Sequence, residues 1–343
     1  MTGVAVSVVV AVHNVDRYLS RCLDSVCEQT HADLEILLVD DGSTDNTGLL
    51  CDEYASLDPR ITVIHEPHAG VSAARNAGLR RARAPYVAFL DGDDWADPGW
   101  IAGLLQRAEL AGADVVLTGY HVDFVDAAGK LRRTETRRPE PQSVEPAVAT
   151  PDFGPQLVNF VGYAWNKLYR RSVLVEGNHE FPEGLDSVED MVFNADVLAA
   201  CEHVVVTDDA YVHYVQRPIP TLGNVFRPDQ LRLRLMALDG LTSLARSWGL
   251  AEVDVCDLRA SRGATALRVT LRSTATTRSL SFSAKASQLS ETLRDGEVQA
   301  FLDELWSHGQ LGRTNRLIVR LLRGGHVRTV LAALRLGSSG GLR

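Results

Sequence analysis

The chain has 343 residues, 45% of them hydrophobic, and a net charge of −9. That length allows one large domain and a smaller one, and the acidic balance excludes a protein built to coat nucleic acid. The five cysteines, Cys22, Cys27, Cys51, Cys201 and Cys256, show no paired spacing, which argues against a disulfide framework and for a reducing compartment.

Val4–Val12 is a Val-rich run that predicts a buried strand, and Asp16–Gln29 places Leu19, Cys22, Leu23 and Val26 at helical spacing. Leu34–Val39 predicts a second strand ending at Asp40-Asp41-Gly42-Ser43-Thr44-Asp45, with Asp45 expected to cap the helix over Thr47–Ser56. A strand over Ile61–Ile64, a helix over Val71–Arg83 and a strand over Tyr86–Leu90 follow. That last strand stops at Asp91-Gly92-Asp93-Asp94. A helix is expected from Pro98 to about Ala111, then a strand over Asp114–Thr118. The alternation predicts a mostly parallel sheet with helices on both faces, and such sheets bind ligands beyond the carboxyl ends of their strands. His13-Asn14, Asp40-Asp41 and Asp91–Asp94 all fall at those ends. Clustered carboxylates repel one another unless a cation or hydroxyl-rich ligand joins them. Hard oxygen ligands suit Mg²⁺ or Mn²⁺, which bridge to phosphates.

From about 121 to 156 the pattern weakens into an expected irregular connection. A helix over Ser187–Ala200 and strands over Val204–Thr207 and Tyr211–Val215 restore it. From Pro228 onward the sequence reads as mainly helical, and a domain boundary is placed near 220. No run approaches the ~20 apolar residues of a spanning helix and no secretory signal is visible, so a cytoplasmic location is expected. After Glu304 there is no acidic residue, while Arg313, Arg316, Arg320 and Arg323 fall on one helical face and Leu317, Ile318, Leu321 and Leu322 on another. Such a helix either packs on its own domain with a solvated Arg face or lies on an anionic membrane surface, so 313–336 is a candidate peripheral membrane contact.

The motifs Val6-Ser-Val-Val-Val-Ala-Val-His-Asn14, Ser25-Val-Cys-Glu-Gln-Thr30, Val39-Asp-Asp-Gly-Ser-Thr-Asp45, Gly70-Val-Ser-Ala-Ala-Arg-Asn-Ala-Gly78 and Phe89-Leu-Asp-Gly-Asp-Asp-Trp95 occur in one order. Trp165-Asn-Lys-Leu-Tyr169 and Glu189-Asp-Met-Val-Phe193 extend the set. In this the chain resembles family 2 glycosyltransferases. The resemblance implies a Rossmann-like GT-A catalytic domain over 1–220 and a helical C-terminal region over 221–343. It implies metal-dependent inverting transfer of a hexose or N-acetylhexosamine from a nucleotide sugar, by default a UDP-sugar. The acceptor would be a hydroxyl of a bacterial cell-surface glycan, a polyol phosphate of teichoic-acid type, or a lipid-linked sugar. The helical region could meet an acceptor, a membrane or another copy of the chain. Two other classes stand beside this reading: a nucleotidyltransferase expelling pyrophosphate, and a noncatalytic glycan-binding protein on the same scaffold.

Residue by residue, the resemblance implies that Ala11, His13 and Asn14 line the base pocket and that Asp41 accepts from the base, the alternative for Asp41 being an Asx-turn. Arg75 would border the donor phosphates and base. Asp93 would hold the Mn²⁺ or Mg²⁺, Asp91 would contact ribose or the metal through water, and Gly92 would permit close backbone approach. Asp94 would orient its neighbours or touch the sugar, while His213 and Arg217 would reach the metal or diphosphate. Trp165 is a sugar platform or a core residue, and Asn166 and Lys167 are acceptor contacts. Glu189-Asp190 would be the acidic pair at the acceptor, with Asp190 as general base; a capping box beginning at Ser187 is the alternative.

Overall fold

The computed structural model describes residues 3–144, 158–185, 187–218, 226–277, 279–309 and 311–339. The chain divides into two units, Met1–Pro220 with Ser243–Leu250, and Thr221–Thr242 with Ala251–Arg343.

The first unit is built on a mixed sheet. β1 (Val6–Val12) is buried at every residue because β2 (Leu34–Asp41) and β4 (Tyr86–Asp91) flank it as parallel strands. β3 (Ile61–Glu66) lies at the outer edge and is largely exposed there. Val4 lies outside β1 and is exposed. The connecting helices are α1 (Asp16–Cys27), α2 (Thr47–Leu57) and α3 (Val71–Arg81), and α1 buries Leu19, Cys22, Leu23 and Val26 as its spacing predicts. Asp45 caps α2, its Oδ1 accepting from Thr47 N at 2.9 Å.

Beyond β4 the sheet changes direction. After β5 (Trp95–Ala96) and α4 (Trp100–Ala111) come β6 (Val115–Val125), β7 (Leu131–Arg137), β8 (Gln142–Val144) and β9 (Lys167–Arg170). α5 (Arg171–Glu176), α6 (Glu189–Ala200) and β10 (Val204–Gln216) complete the unit's main elements. The strand order is β3-β2-β1-β4-β9-β6-β10-β5, with β9 antiparallel between β4 and β6, and β10 parallel to β6. The segment read as irregular from 121 therefore holds the end of β6 and the paired strands β7 and β8, joined by short connections at 126–130 and 138–141, and 145–157 lie outside the described residues. Its polarity concealed it: β7 is almost wholly exposed and offers no apolar period to read. The two strands expected at Val204–Thr207 and Tyr211–Val215 are one strand whose register shifts between Val206 and His213. The polar pair Asp208-Asp209 falls within that irregularity, which explains the apparent break.

The second unit is helical. α7 (Gln230–Ser247) leads into α8 (Glu252–Thr276), α9 (Phe282–Thr292), α10 (Gly296–Ser307), α11 (Arg313–Arg323) and α12 (Val327–Ser339). Leu231, Leu235 and Leu238 join Leu267, Leu271, Phe301 and Leu302 in one core. A Cβ at Gly263 would stand 2.6 Å from the Phe301 ring, so glycine there lets the backbone of α8 approach that ring. α11 faces the same core with Val319 and Leu322, and Ile318 and Leu321 pack beside them. Most of its apolar face is thus occupied by the unit's own interior, while Leu317 stays 56% exposed beside the Arg face. Among the described residues no helix is long and apolar enough to cross a membrane.

Candidate active site at the carboxyl edge of the sheet

β4 delivers Asp91 to the sheet edge, where Asp94 N donates to Asp91 O at 3.0 Å and Gly92 N to Ala11 O at 3.2 Å. A Cβ on Gly92 would lie 2.6 Å from Val12 Cγ1, so the close approach this glycine permits is to the protein's own β1. Asp93 projects outward with its side chain 41% exposed. Asp94 does not: it is buried, and its Oδ1 accepts from Val215 N at 2.8 Å. Its Oδ2 has no partner among the described residues. Burial, then the charges of Asp93 and Asp91, push its pKa well up. The expected sugar contact of Asp94 is replaced by a strut from the Asp turn to β10.

Arg75 joins three carboxylates from distant parts of the chain. Its Nη2 donates to Asp91 Oδ1 at 2.6 Å, and its Nη1 donates to Asp190 Oδ1 at 2.6 Å and Glu189 Oε1 at 3.4 Å. The guanidinium is buried above Phe181, 5.2 Å from the ring centroid. Burial opposes its charge, and Asp190, Asp91 and Glu189 outweigh it, holding the group protonated. Asp190 Oδ2 also accepts from Ala164 N at 3.1 Å. Burial raises the Asp190 carboxyl against the pull of Arg75. Glu189 is pushed up to about 7, by burial first and by Asp190 second. Helix α6 begins after Val188, whose φ is 67° and which supplies no side-chain cap. Asp190 itself is bound to Arg75 and Ala164, so a capping box does not account for the acidic pair.

At the ends of β1 and β2, His13 Nδ1 lies 2.7 Å from Asp41 O, and its ring stacks on His68 at 4.1 Å. Asn14 Oδ1 accepts from Thr44 N at 2.8 Å, and Asn14 N donates to Ser43 Oγ at 3.1 Å. Asp41 is buried, accepting from Ala69 N at 2.7 Å and Gly70 N at 2.9 Å, with His68 Nδ1 2.9 Å away. Its oxygens thus fasten the 68–70 loop, where Gly70 sits at φ 96° ahead of α3. His68 gave no signal in sequence; only the fold sets it on His13.

Asn166 and Lys167 lie in the interior, away from their expected role as acceptor contacts, and Trp165 lies there too, as its core alternative had it. Trp165 is 2% exposed and stacks on Tyr163 at 4.5 Å. Asn166 Nδ2 donates to Thr118 O at 2.9 Å. Lys167 Nζ donates to Phe160 O and Asn166 Oδ1, both at 2.8 Å, and also to Val161 O and Tyr163 O. Burial lowers its pKa to about 7. A lysine surrounded by acceptors of its own chain holds the 160–164 segment and has no surface for a sugar.

The described contacts of His213 are with other groups than Asp93. It stacks between Trp95 at 3.6 Å and His121 at 4.3 Å, with Nδ1 3.0 Å from Asp123 Oδ2 and Nε2 3.5 Å from Asp97 Oδ1. The residue that meets Asp93 is Arg217, through Nη1 to Oδ2 at 2.7 Å and Nη2 to the main-chain oxygen at 2.6 Å. The two share a cavity of about 400 Å³ with Arg17, Tyr18, Arg21 and Trp95. Asp91 and Asp93 fit a hard divalent cation. Both offer carboxylate oxygens at the sheet edge, and the Asp93 side chain is 41% exposed to an incoming ion.

The sequence pattern of the family described as Glycosyl transferase family 2 matches residues 7–177. The chain is 34% identical over 218 residues to the uncharacterized glycosyltransferase EpsJ of Bacillus subtilis, covering 62% of this chain and 61% of that protein. It is 41% identical over 116 residues to glycosyltransferase GlyA of Streptococcus pneumoniae, covering 34% of this chain and 17% of that one. The chain thus spans less than two thirds of either relative. Among solved structures it is similar to S. aureus TarS 1–349 in complex with UDP-GlcNAc, with TM-score 0.68, 19% identity, and coverage of 97% of this chain and 92% of that one. It is also similar to mannosyltransferase PcManGT from Pyrobaculum calidifontis in complex with GDP-Man and Mn²⁺, with TM-score 0.51, 16% identity, and coverage of 97% and 87%. At those identities the likeness shows the fold, which is GT-A. The motifs, the sheet and the family pattern agree: the chain belongs to glycosyl transferase family 2.

Proposed function

We propose that the chain transfers a sugar, with inversion, from a nucleotide sugar to a hydroxyl of a cell-surface glycan, polyol phosphate or lipid-linked acceptor. The observation that carries this is the Arg75 bridge, which holds Asp91 and Asp190 on one guanidinium. It supports a site where the donor's diphosphate and the acceptor's hydroxyl meet. Asp190 takes the hydroxyl proton as the acceptor oxygen bonds to the anomeric carbon and the bond to the diphosphate breaks. Its carboxyl is oriented by two fixed bonds, and burial raises its proton affinity. Asp93, with Asp91 reaching it through water, would hold Mn²⁺ or Mg²⁺, which when bound neutralises charge on the leaving diphosphate. Arg17, Arg21 and Arg217 give the adjoining cavity a matching cationic lining. That TarS and PcManGT were solved with UDP-GlcNAc and GDP-Man supports a nucleotide-sugar donor. UDP-sugar as donor, residues 1–220 as catalytic domain and a cytoplasmic site of action belong to the same proposal.

A second reading makes Glu189 the base, because its carboxyl, pushed up to about 7, is held by Arg75 more loosely than Asp190 is, at 3.4 Å against 2.6 Å. Nucleoside diphosphate release separates the two. Asp190→Asn should abolish release while a thermal shift with donor persists. Full activity in Asp190→Asn with loss in Glu189→Gln would move the role to Glu189.

A further inference from the structure

We propose that Arg217 is a resident counter-cation on Asp93. A divalent ion must displace it, so the ion is held tightly only together with the diphosphate that receives the freed guanidinium. This rests on the reading above that Asp93 holds the ion. The guanidinium grips Asp93 twice, at the carboxylate and at the main-chain oxygen, and adds a bond to Val215 O at 3.3 Å. It is 9% exposed and lies over the Tyr18 ring at 3.8 Å, so packing as well as charge keeps it there. An arginine cannot yield by losing its proton. An incoming ion and the guanidinium would therefore compete for one carboxylate as two cations in contact. Asp91 offers little alternative, because Arg75 already occupies its Oδ1.

The compensation is in the same cavity. A diphosphate entering it meets Arg17 and Arg21 as well as Arg217, and its phosphate oxygens can accept two parallel bonds from a guanidinium's planar fork. Metal and diphosphate then assist each other's binding through one side chain, and free metal gains little on its own.

The test uses the full chain and two probes, Mn²⁺ alone and premixed Mn²⁺–pyrophosphate, titrated by calorimetry into the wild type, Arg217→Gln and Arg217→Lys, with circular dichroism to confirm folding. With Mn²⁺ alone, Arg217→Gln should bind about tenfold tighter than the wild type, a difference of about 1.4 kcal/mol. Arg217→Lys, keeping the charge, should stay near the wild type. With Mn²⁺–pyrophosphate the order should reverse, because the glutamine cannot receive the phosphate. The same order with both probes, or no difference between wild type and Arg217→Gln, overturns the inference. If Asp93→Asn takes up both probes as well as the wild type, the ion is not on Asp93, and the metal assignment falls with it.

Discussion

Arg75 Nη1 stands 2.6 Å from Asp190 Oδ1, although 115 positions separate the two residues in the chain. The other arm of the same guanidinium stands 2.6 Å from Asp91 Oδ1. One planar fork thus fixes the distance between the turn after β4 and the start of α6. Arg75→Lys keeps the charge and loses the fork. Its kcat/KM should fall by about 100-fold, on the scale of a catalytic group misplaced by roughly 1 Å. Steady-state kinetics with a saturating donor checks this, and unchanged kinetics would show that the bridge does not position the site.

Glu189 gives stability a definite pH dependence. An unfolded glutamate titrates at about 4.3, and this one is pushed up to about 7. Between those values the folded chain keeps a proton the unfolded chain has released. Stability contributed here is present at low pH and lost as pH rises through that window, by about 4 kcal/mol in all. Glu189→Gln should remove this loss and make the profile shallower between about pH 4 and 7. Urea denaturation of both proteins across that range is the check.

Lys167→Met should destabilise by about 3 kcal/mol or more, since it leaves the carbonyls of Phe160, Val161 and Tyr163 without their donor. Chemical denaturation measures it. A loss of acceptor affinity with no loss of stability would instead restore the surface role expected from sequence.

Gly92→Ala places a methyl group 2.6 Å from Val12 Cγ1. The overpacking should cost about 1–3 kcal/mol and shift Asp93 from its place. Melting temperature and activity should fall together.

What the sequence revealed and concealed follows from burial. β1, β2 and β4 are buried strands ending in polar clusters, so pattern and chemistry coincided and the sheet edge could be read directly. β7 is exposed and lacks a period, so its pairing with β6 came only from the fold. Lys167 and Trp165 show the converse error. A polar or aromatic residue in a motif reads as a ligand contact, and nothing local reveals that four acceptors enclose the amine or that Tyr163 covers the indole. The pairing of Arg217 with Asp93 was hidden for the same reason: 124 positions separate them. The amphipathic pattern of α11 was legible, but the surface it covers was not.

The most direct measurement of the central claim is the product formed from a panel of nucleotide sugars by the wild type and Asp93→Asn, with Mn²⁺ and after chelation. Nucleoside diphosphate should appear from the wild type with Mn²⁺, and none after chelation or in Asp93→Asn. Release of pyrophosphate, or diphosphate release indifferent to both chelation and Asp93→Asn, would contradict it.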